Sequence, residues 1–521
     1  MRAPLLRVLA CSLVAAVVAV APSLARGATV PTTWCGNGTP GVGTDRKPDL
    51  AAGQQLHIIY AHPADAPDRI GAMANAIATD MATADAWWRR QDGGRTIRFD
   101  LFGFANCSGL GRLDLADVAL PSGSSFYSGL DLRFQRIATQ LIAPPFNYSS
   151  RNKRYLVYFD GPADQTNICG QGGTIGGLGY AMIYVQTCRQ NVGDGGAAAI
   201  TAVHEFIHAI GAVAPGAAHE CAPPNDGHVC DNTLDILYWL NSGGQLDNEV
   251  LDAGRDDYYG TGNSRDIRPS GFLARLDAPQ FSFSLGIAGS GSGGVSADLP
   301  GIECTQSCTS TWDAGSVFTL TETPGTRTRF VGWSGSCSGQ SAVCAVTMDA
   351  AKNATANFVL QVPLAVTIQA STGSGSVVSN PDRLNCPSTC TADFDQGAQV
   401  TLEARPASGS RFEGWGGACS GNGACTVTMT GAQSVTAAFT VATHVLRASV
   451  KGKGRVTSSP AGISCPGKCS GSFVADRPVQ LAAKPAKGYR FSGWSGACRG
   501  RGACKLFLAG DASVKATFKK K

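Results

Sequence analysis

The sequence predicts an α/β domain in the first half of the chain and three small disulfide-stapled all-β modules in the second half. Two observations lead to this division. Strand-like and helix-like stretches alternate up to about residue 279, and a motif containing tryptophan and cysteine then repeats three times. The expected boundaries are a signal peptide at 1–28, the α/β domain at 29–279, and modules at 280–360, 361–441 and 442–521.

The first residues, MRAPLLRVLACSLVAAVVAVAPSLARGA, are typical of a secretory signal peptide. Arg2 and Arg7 precede an apolar run that ends at a small-residue site near Ala25 or Ala28. The run is short for a membrane-spanning helix, although a retained anchor is the alternative. We expect a secreted, extracellular protein without a membrane span, whose cysteines form disulfides.

The elements of the α/β domain follow from hydrophobic periodicity. Apolar residues recur at helical spacing in DRIGAMANAIATDMATADAWWRRQ and alternate or cluster in the shorter β-rich runs. In the helix at 193–211, Asp194 is a candidate cap and Gly211 a candidate stop. The predicted strands lie at 54–61, 95–104, 153–161 and 179–186, and the predicted helices at 68–91, 130–142 and 193–211.

The stretch VHEFIHAIGAVAPGAAHE, residues 203–220, carries the motif of a zinc hydrolase. His204 and His208 are four residues apart, so on a helix they lie one above the other on the same face. Two neutral imidazoles in that arrangement can bind one zinc ion. Glu205 is then the expected general base, which takes a proton from a zinc-activated water and passes it to the leaving amine.

The motif does not fix the third metal ligand. In metzincins a histidine follows six residues after the second, but Ala214 occupies that position here. We expect His219, because it is the nearest histidine beyond the turn at Gly211 and would complete a three-histidine site. The other candidates are His228, as second choice, and the carboxylates Glu220, Asp231 and Asp235.

Residues 54–275 resemble a group of exported bacterial zincin-like proteins. The resemblance is carried by YAMIYVQTC, the HEFIHAIGAV segment, DGHVCDNTLDILY and GRDDYYG. It implies a zincin-like metallopeptidase domain, and it places His219 at the position of that group's downstream histidine. One departure concerns Ile236 and Leu237, which stand where the group often has a methionine.

Two further features lie close to the motif in sequence. Tyr258 is a candidate to donate a hydrogen bond to the oxyanion of the tetrahedral intermediate, and the alternative is a packed aromatic with a bonded hydroxyl. Cys221 and Cys230 bracket His228, so a disulfide between them would fix that loop. Cys35 is expected in a disulfide rather than as an inhibitory thiolate on the zinc.

The repeats share a C-x3-C turn and an F-x-G-W-x-G-x-C core around Trp333, Trp415 and Trp494. They resemble the divergent B-repeat of internalin-like surface proteins, which implies small β-grasp-like modules used as spacers or adhesive modules. Four cysteines in a module allow three pairings, and we favour local pairs such as Cys386–Cys390 and Cys419–Cys425. The alternative, zinc on four cysteines, lacks a histidine in the cluster.

The third module, residues 442–521, is strongly basic. It holds ten lysines and six arginines against Asp476 and Asp511, so its net charge is 16 − 2 = +14, while the whole chain is +5. Such a charge attracts polyanions in a salt-dependent way. We expect an anionic cell-surface polymer as a partner, with no sequence-specific binding of nucleic acid.

Two classes of function are consistent with these features. The first is a secreted zinc peptidase that its repeats hold at an anionic surface, acting on proteins, peptides or peptidoglycan cross-links. The second is a non-catalytic adhesin that uses the zincin domain as a scaffold. Turnover of a peptide library discriminates between them.

Overall fold

A computed structural model describes residues 30–521 apart from 37–42, 106, 108–111, 163–167, 188–190, 214, 241–243 and 370. The expected signal peptide lies outside the described residues. The chain divides into two compact units, one made of residues up to 288, 293–324 and 330–358, and the other of residues 289–292, 325–329 and 359–521. No helix among the described residues is long and apolar enough to cross a membrane.

The α/β domain is built on three helices and a five-stranded sheet. The helices are α1 Ile70–Gln91, α2 Leu130–Ile142 and α3 Ala197–Ala209. The strands are β1 Gln55–Pro63, β2 Arg95–Ile97, β3 Leu101–Phe102, β4 Arg112–Leu113, β5 Leu115–Leu120, β6 Lys153–Phe159, β7 Gly170–Ile175, β8 Leu178–Tyr184 and β9 Leu273–Arg275. The main sheet has the order β5-β1-β6-β8-β7, in which only β7 is antiparallel to its neighbour.

The sheet is covered on both faces, so its inner strands are almost continuously apolar. Successive residues of a strand point to opposite faces, and Ile58 and Ile59 of β1 accordingly lie in different hydrophobic clusters. The cluster containing Ile58 also contains Met81 of α1 and Phe206 of α3. The cluster containing Ile59 includes residues of α2, such as Leu141. Helices α1 and α3 therefore pack on one face of the sheet and α2 on the other.

Most of the predicted elements of this domain are confirmed within about two residues. The helix predicted at 130–142 has those bounds, and the strand predicted at 95–104 is interrupted to give β2 and β3. Helix α3 begins after Gly196, whose N–H donates to Asp194 Oδ1 at 2.8 Å, and ends before Gly211, which has φ +99°. Strand β7 was not predicted, because its sequence GQGGTI is half glycine.

In the C-terminal half, the regular secondary structure of the described residues consists of strands. They are β10 Gln280–Gly289, β11 Gly293–Ala297, β12 Glu303–Cys304, β13 Cys308–Asp313, β14 Val317–Pro324, β15 Thr328–Gly335, β16 Val343–Thr347, β17 Lys352–Ile368, β18 Gly375–Asn380, β19 Asn385–Cys386, β20 Thr391–Asp395, β21 Gln399–Pro406, β22 Ser410–Gly417, β23 Cys425–Thr428, β24 Gln433–Val441, β25 Thr443–Lys451, β26 Gly454–Ser459, β27 Ser464–Cys465, β28 Ser470–Val474, β29 Pro478–Pro485, β30 Tyr489–Gly496, β31 Cys504–Phe507 and β32 Ala512–Lys520. These strands confirm the all-β prediction.

Disulfides close each module locally, as predicted. The pairs Cys386–Cys390 and Cys419–Cys425 are both formed, and the other two modules repeat the pattern with Cys304–Cys308, Cys337–Cys344, Cys465–Cys469 and Cys498–Cys504. The tryptophan of each repeat packs in a hydrophobic core, and Trp415 is only 7% exposed. These small cores therefore combine a buried aromatic with two covalent cross-links.

Candidate metal centre

Three histidines converge at the C-terminal half of α3. The Nε2 atoms of His204 and His208 are 3.2 Å apart, and both rings lie beside His228, with centroid distances of 5.2 and 5.0 Å. One nitrogen from each of the three rings lies within 4.8 Å of the others, which is the spacing needed to bind one metal ion. His204 and His208 meet because they are four residues apart on the helix.

Hydrogen bonds at the outer nitrogens orient two of these rings. His204 Nδ1 lies 2.6 Å from the carbonyl oxygen of Ile236, and His228 Nδ1 lies 3.2 Å from that of Asn225. A carbonyl oxygen only accepts, so each Nδ1 carries the proton and each Nε2 keeps a free lone pair. This is the tautomer that a metal-binding imidazole requires, held by the outer hydrogen bonds that metal-binding histidines usually make.

Burial keeps the three imidazoles neutral. Desolvation lowers the pKa of His204 to about 3, and the neighbouring His228 acts in the same direction. Desolvation also lowers the pKa of His208 well below its usual value and, less strongly, that of His228. Neutral imidazole is the form that binds a metal, so the site is prepared for ligation at neutral pH.

Glu205 follows the first of these histidines and is 7% exposed. Burial raises the pKa of its carboxyl to about 8, and a hydrogen bond from the N–H of Gly172 acts in the opposite direction. Gly172 belongs to β7, the edge strand that lies against α3. A Cβ at this glycine would lie 2.5 Å from Glu205 O and 2.8 Å from His208 Cβ, so the close approach of β7 to the site requires glycine.

The loop that contains His228 is held by several contacts. The disulfide Cys221–Cys230 closes it, as the sequence indicated. The N–H of Cys221 donates to His228 O at 2.8 Å, and the N–H of Val229 donates to Leu237 O at 3.1 Å. These contacts join the loop of His228 to the segment whose Ile236 carbonyl orients His204.

The structure does not bring His219, the favoured third ligand, to the histidine pair. Its backbone N–H donates to Asp257 Oδ1 at 2.7 Å and its Nδ1 lies 3.1 Å from Asp257 Oδ2, in a separate group with Asp231 and Asp256. The hydrogen bond to Asp257 raises the pKa of His219. His228, the second choice from the sequence, lies beside the pair instead, and the signal for it was its place between two cysteines.

Tyr258 is also placed differently from the expectation. Its side chain is fully buried, and its hydroxyl donates to Asp235 Oδ1 at 2.8 Å and accepts from the N–H of Asp252 at 3.0 Å. Both hydrogen-bonding directions of the hydroxyl are thus used within the fold. Asp235 precedes Ile236, so Tyr258 supports the segment behind His204 and does not point a free hydroxyl at the site.

Cys35 forms a disulfide with Cys107, as expected, and provides no thiolate to the site.

Among the described residues, two clusters besides the three histidines and the His219 group have the composition of metal sites, and both lie in the same domain. They are Asp45 with His57, Asp100 and Asp114, and His62 with Asp68 and Asp117. In the first of them the Nζ of Lys153 lies 2.6 Å from Asp100 Oδ2, so this group already contains a protein cation.

The divergent InlB B-repeat family matches the chain three times, at residues 295–361, 366–443 and 446–521. These matches confirm the repeats and their family resemblance, and they lie outside the histidine site. No curated protein sequence matches the chain.

Solved structures with partial likeness come from several bacterial proteins. The Bacillus anthracis TIE protein is 8% identical, with 48% of this chain and 52% of that chain covered and a TM-score of 0.22. Wild-type OgpA from Akkermansia muciniphila is 11% identical, with 59% and 97% covered and a TM-score of 0.27. The pilus adhesin SpaC from Lactobacillus rhamnosus GG is 10% identical, with 48% and 44% covered and a TM-score of 0.18. The chain thus spans about half of the TIE protein and less of SpaC, and at these TM-scores the likeness supports no conclusion about function.

Proposed function

We propose that the chain is a secreted zinc-dependent peptidase, whose N-terminal half is a zincin-like catalytic domain. The observation that carries this proposal is the convergence of His204, His208 and His228, with the buried carboxyl of Glu205 beside them. Three neutral imidazoles are a common ligand set of catalytic zinc sites, which keep a further position for water or substrate. The donor set contains nitrogens only, which favours zinc over magnesium or calcium.

In the proposed reaction, the three histidines and Glu205 have separate roles. The three histidines would hold the metal, and a bound metal would act as a Lewis acid that lowers the pKa of water and polarises the scissile carbonyl. Glu205 accepts the proton as water attacks that carbonyl and returns it to the leaving amine. Burial raises the pKa of Glu205 to about 8. The positive charge of a bound metal would lower that pKa and favour the carboxylate, which is the form that accepts a proton.

The edge strand β7 provides a place for an extended peptide. Among the described residues, β7 pairs with β8 alone, and it is the last strand of the main sheet, so its other edge is unpaired. An unpaired edge offers backbone N–H and C=O groups, with which an extended chain pairs as an added strand. Because Gly172 of this strand contacts Glu205, a peptide paired there has its backbone next to the catalytic base.

The C-terminal modules give the proposed enzyme its attachment. The many disulfides among the described residues are typical of an exported protein. The three B-repeat modules act as spacers, and the third, with its net charge of +14, interacts with an anionic surface.

Turnover of a peptide library by the Glu205→Gln variant, with its zinc content measured in parallel, tests the peptidase proposal. Loss of the proton acceptor is expected to lower kcat about 100-fold or more while zinc remains bound. Wild-type protein that binds zinc and cleaves no member of the library would favour the non-catalytic adhesin. Full activity in the variant would exclude Glu205 as the base.

A further inference from the structure

The cations of the third module have no acidic partners. All sixteen lysines and arginines of residues 442–521 are exposed, and every residue of this range is described. The ion pairs within the range include only His444 with Asp511, at 3.9 Å. The two aspartates, Asp476 and Asp511, lie outside the strands. The positive field of the module is therefore not neutralised within the module.

Five of these cations share one face of a sheet. The sheet has the order β28-β25-β32-β30, and its inward positions include Leu446, Val514 and Phe518. Since side chains alternate along a strand, the residues next to these inward positions point outward. The outward cations are Arg447 and Lys451 on β25, Lys515 and Lys519 on β32, and Arg490 on β30, and we call this surface the basic face.

The pairing of the strands brings these cations close together. Arg490 lies directly opposite Lys519, and like charges in this position destabilise a sheet. Hydroxyl groups occupy the positions opposite other cations, because Ser449 pairs with Lys515 and Thr517 with Lys451. The cations of this surface repel one another, and a bound anion would remove that repulsion. The hydroxyl groups among the cations add hydrogen-bond donors, so the surface is suited to bind an anion.

The second module lacks this feature on the same framework. At the positions of Arg447, Lys451, Lys515 and Lys519 it has Ala365, Gln369, Thr436 and Thr440. Arg411 stands where the third module has Arg490, and Glu413 lies 3.4 Å from it. The repeat fold therefore does not require the cations, and they distinguish the third module from the second.

We propose that the basic face binds a flexible linear polymer with one phosphodiester in each repeat, of the poly(glycerol phosphate) type. Outward positions along a strand are about 7 Å apart and neighbouring strands about 5 Å, so the cations form a flat array that such a chain can follow. The outward positions of β25 and β32 carry no aromatic side chain, so stacking of single-stranded bases has no platform there. The module also has no helix to enter a duplex groove.

This inference deepens the surface attachment of the proposed function and is independent of the metal site. The test uses the full chain and the variant R447A/K451Q/K515T/K519T, which installs the residues of the second module on the basic face. Its control is K468Q/K484Q/K487Q/K505Q, which also removes four positive charges, but from exposed positions elsewhere on the module. Binding to poly(glycerol phosphate) is measured by calorimetry at several salt concentrations.

The expected result is a loss of affinity of about 600-fold in the first variant, because it removes four cations and each cation near an anionic surface contributes about fivefold. The dependence of binding on salt should weaken at the same time, and the control should lose less than about tenfold. The double variant K515T/K519T, with two changes to residues already present in β24, provides a second test with less disturbance of the fold.

Equal losses in the two fourfold variants would overturn the assignment to this face, since net charge alone would then explain binding. Duplex DNA bound as tightly as poly(glycerol phosphate), with the same loss in the first variant, would overturn the assignment of the polymer. Cleavage of a small soluble peptide by both variants should equal that of the wild type. A failed binding test thus leaves the peptidase proposal standing, and a failed peptidase test leaves this one standing.

Discussion

His204 Nδ1 lies 2.6 Å from the carbonyl oxygen of Ile236, and this contact joins the metal centre to the buried network behind it. Ile236 follows Asp235, whose Oδ1 accepts from the Tyr258 hydroxyl at 2.8 Å. Two residues, Asp235 and Ile236, thus connect a fully buried tyrosine to the orientation of a proposed metal ligand. The contact gives Tyr258 a positioning role in place of the catalytic role that the sequence suggested.

Tyr258→Phe tests this role. The variant leaves Asp235 without one donor and the N–H of Asp252 without its acceptor, so we expect a loss of about 1–3 kcal/mol in the free energy of unfolding. Zinc affinity should fall about tenfold, because the support of His204 is loosened. Thermal unfolding and a zinc titration measure the two effects.

Tyr238→Phe is the matched control, since the hydroxyl of this half-buried tyrosine makes no hydrogen bond among the described residues. It should leave both quantities unchanged. A Tyr258→Phe variant with normal stability and zinc affinity but a kcat lowered about 100-fold would instead support the oxyanion role.

Gly172→Ala tests the close approach of β7 to the site. The added Cβ would lie 2.5 Å from Glu205 O and 2.9 Å from Glu205 Oε2, so the strand must move away from α3. We expect a loss of about 1–3 kcal/mol in stability and a kcat lowered by at least about tenfold. The control is Gly173→Ala in the same strand, where the nearest atom is Phe134 Cζ at 3.8 Å. Equal effects of the two variants on kcat would contradict the account.

The disulfide Cys221–Cys230 is expected to maintain the position of His228. Replacing both cysteines by serine removes a short covalent loop, which costs about 2–3 kcal/mol. Zinc affinity should fall as well, because His228 lies within that loop. The double serine variant of Cys498 and Cys504 in the third module is the control, and its zinc affinity should equal that of the wild type. An unchanged zinc affinity in the first variant would show that the loop holds His228 without the cross-link.

Asp80 gives a prediction for pH dependence. Burial raises the pKa of this carboxyl to about 7, although its Oδ1 accepts from the N–H of Gly193 at 2.9 Å in the segment before α3. Because the folded pKa lies above the unfolded value of 3.8, the unfolded state releases this proton first. Stability due to this group is therefore present at low pH and is lost as the pH rises towards 7.

Asp80→Asn removes that loss. Relative to the wild type, the variant should gain roughly 2–4 kcal/mol in the free energy of unfolding between pH 4 and pH 8. Urea unfolding of both proteins at the two pH values measures the gain, with the exposed Asp382→Asn variant as control. A difference between variant and wild type that is the same at both pH values would refute the prediction.

Local sequence signals were sufficient for most of the fold. Helix α2 and the local disulfides follow from periodicity and cysteine spacing, because these features depend on neighbours in the chain. Strand β7 was missed for a physical reason. Its glycines have low strand propensity, and the close packing of α3 requires glycine at Gly172, which only the tertiary structure shows.

In the candidate site, too, the sequence predicted the residues that lie close together in the chain and did not predict the one that comes from a distant loop. His204, Glu205 and His208 lie on one helix, where spacing determines which side chains meet. The third histidine comes from a loop, and sequence distance favoured His219 over His228. The structure reverses the order, because Asp257 binds His219 while the disulfide loop places His228 beside the pair.

Zinc content of the purified His228→Ala and His219→Ala variants, beside the wild type, tests the central claim most directly. The account predicts about one zinc per chain in the wild type and in His219→Ala. It predicts affinity lowered by at least about 100-fold in His228→Ala, since one of three ligands is lost. Full zinc binding by His228→Ala, together with loss of zinc in His219→Ala, would contradict the metal centre described above.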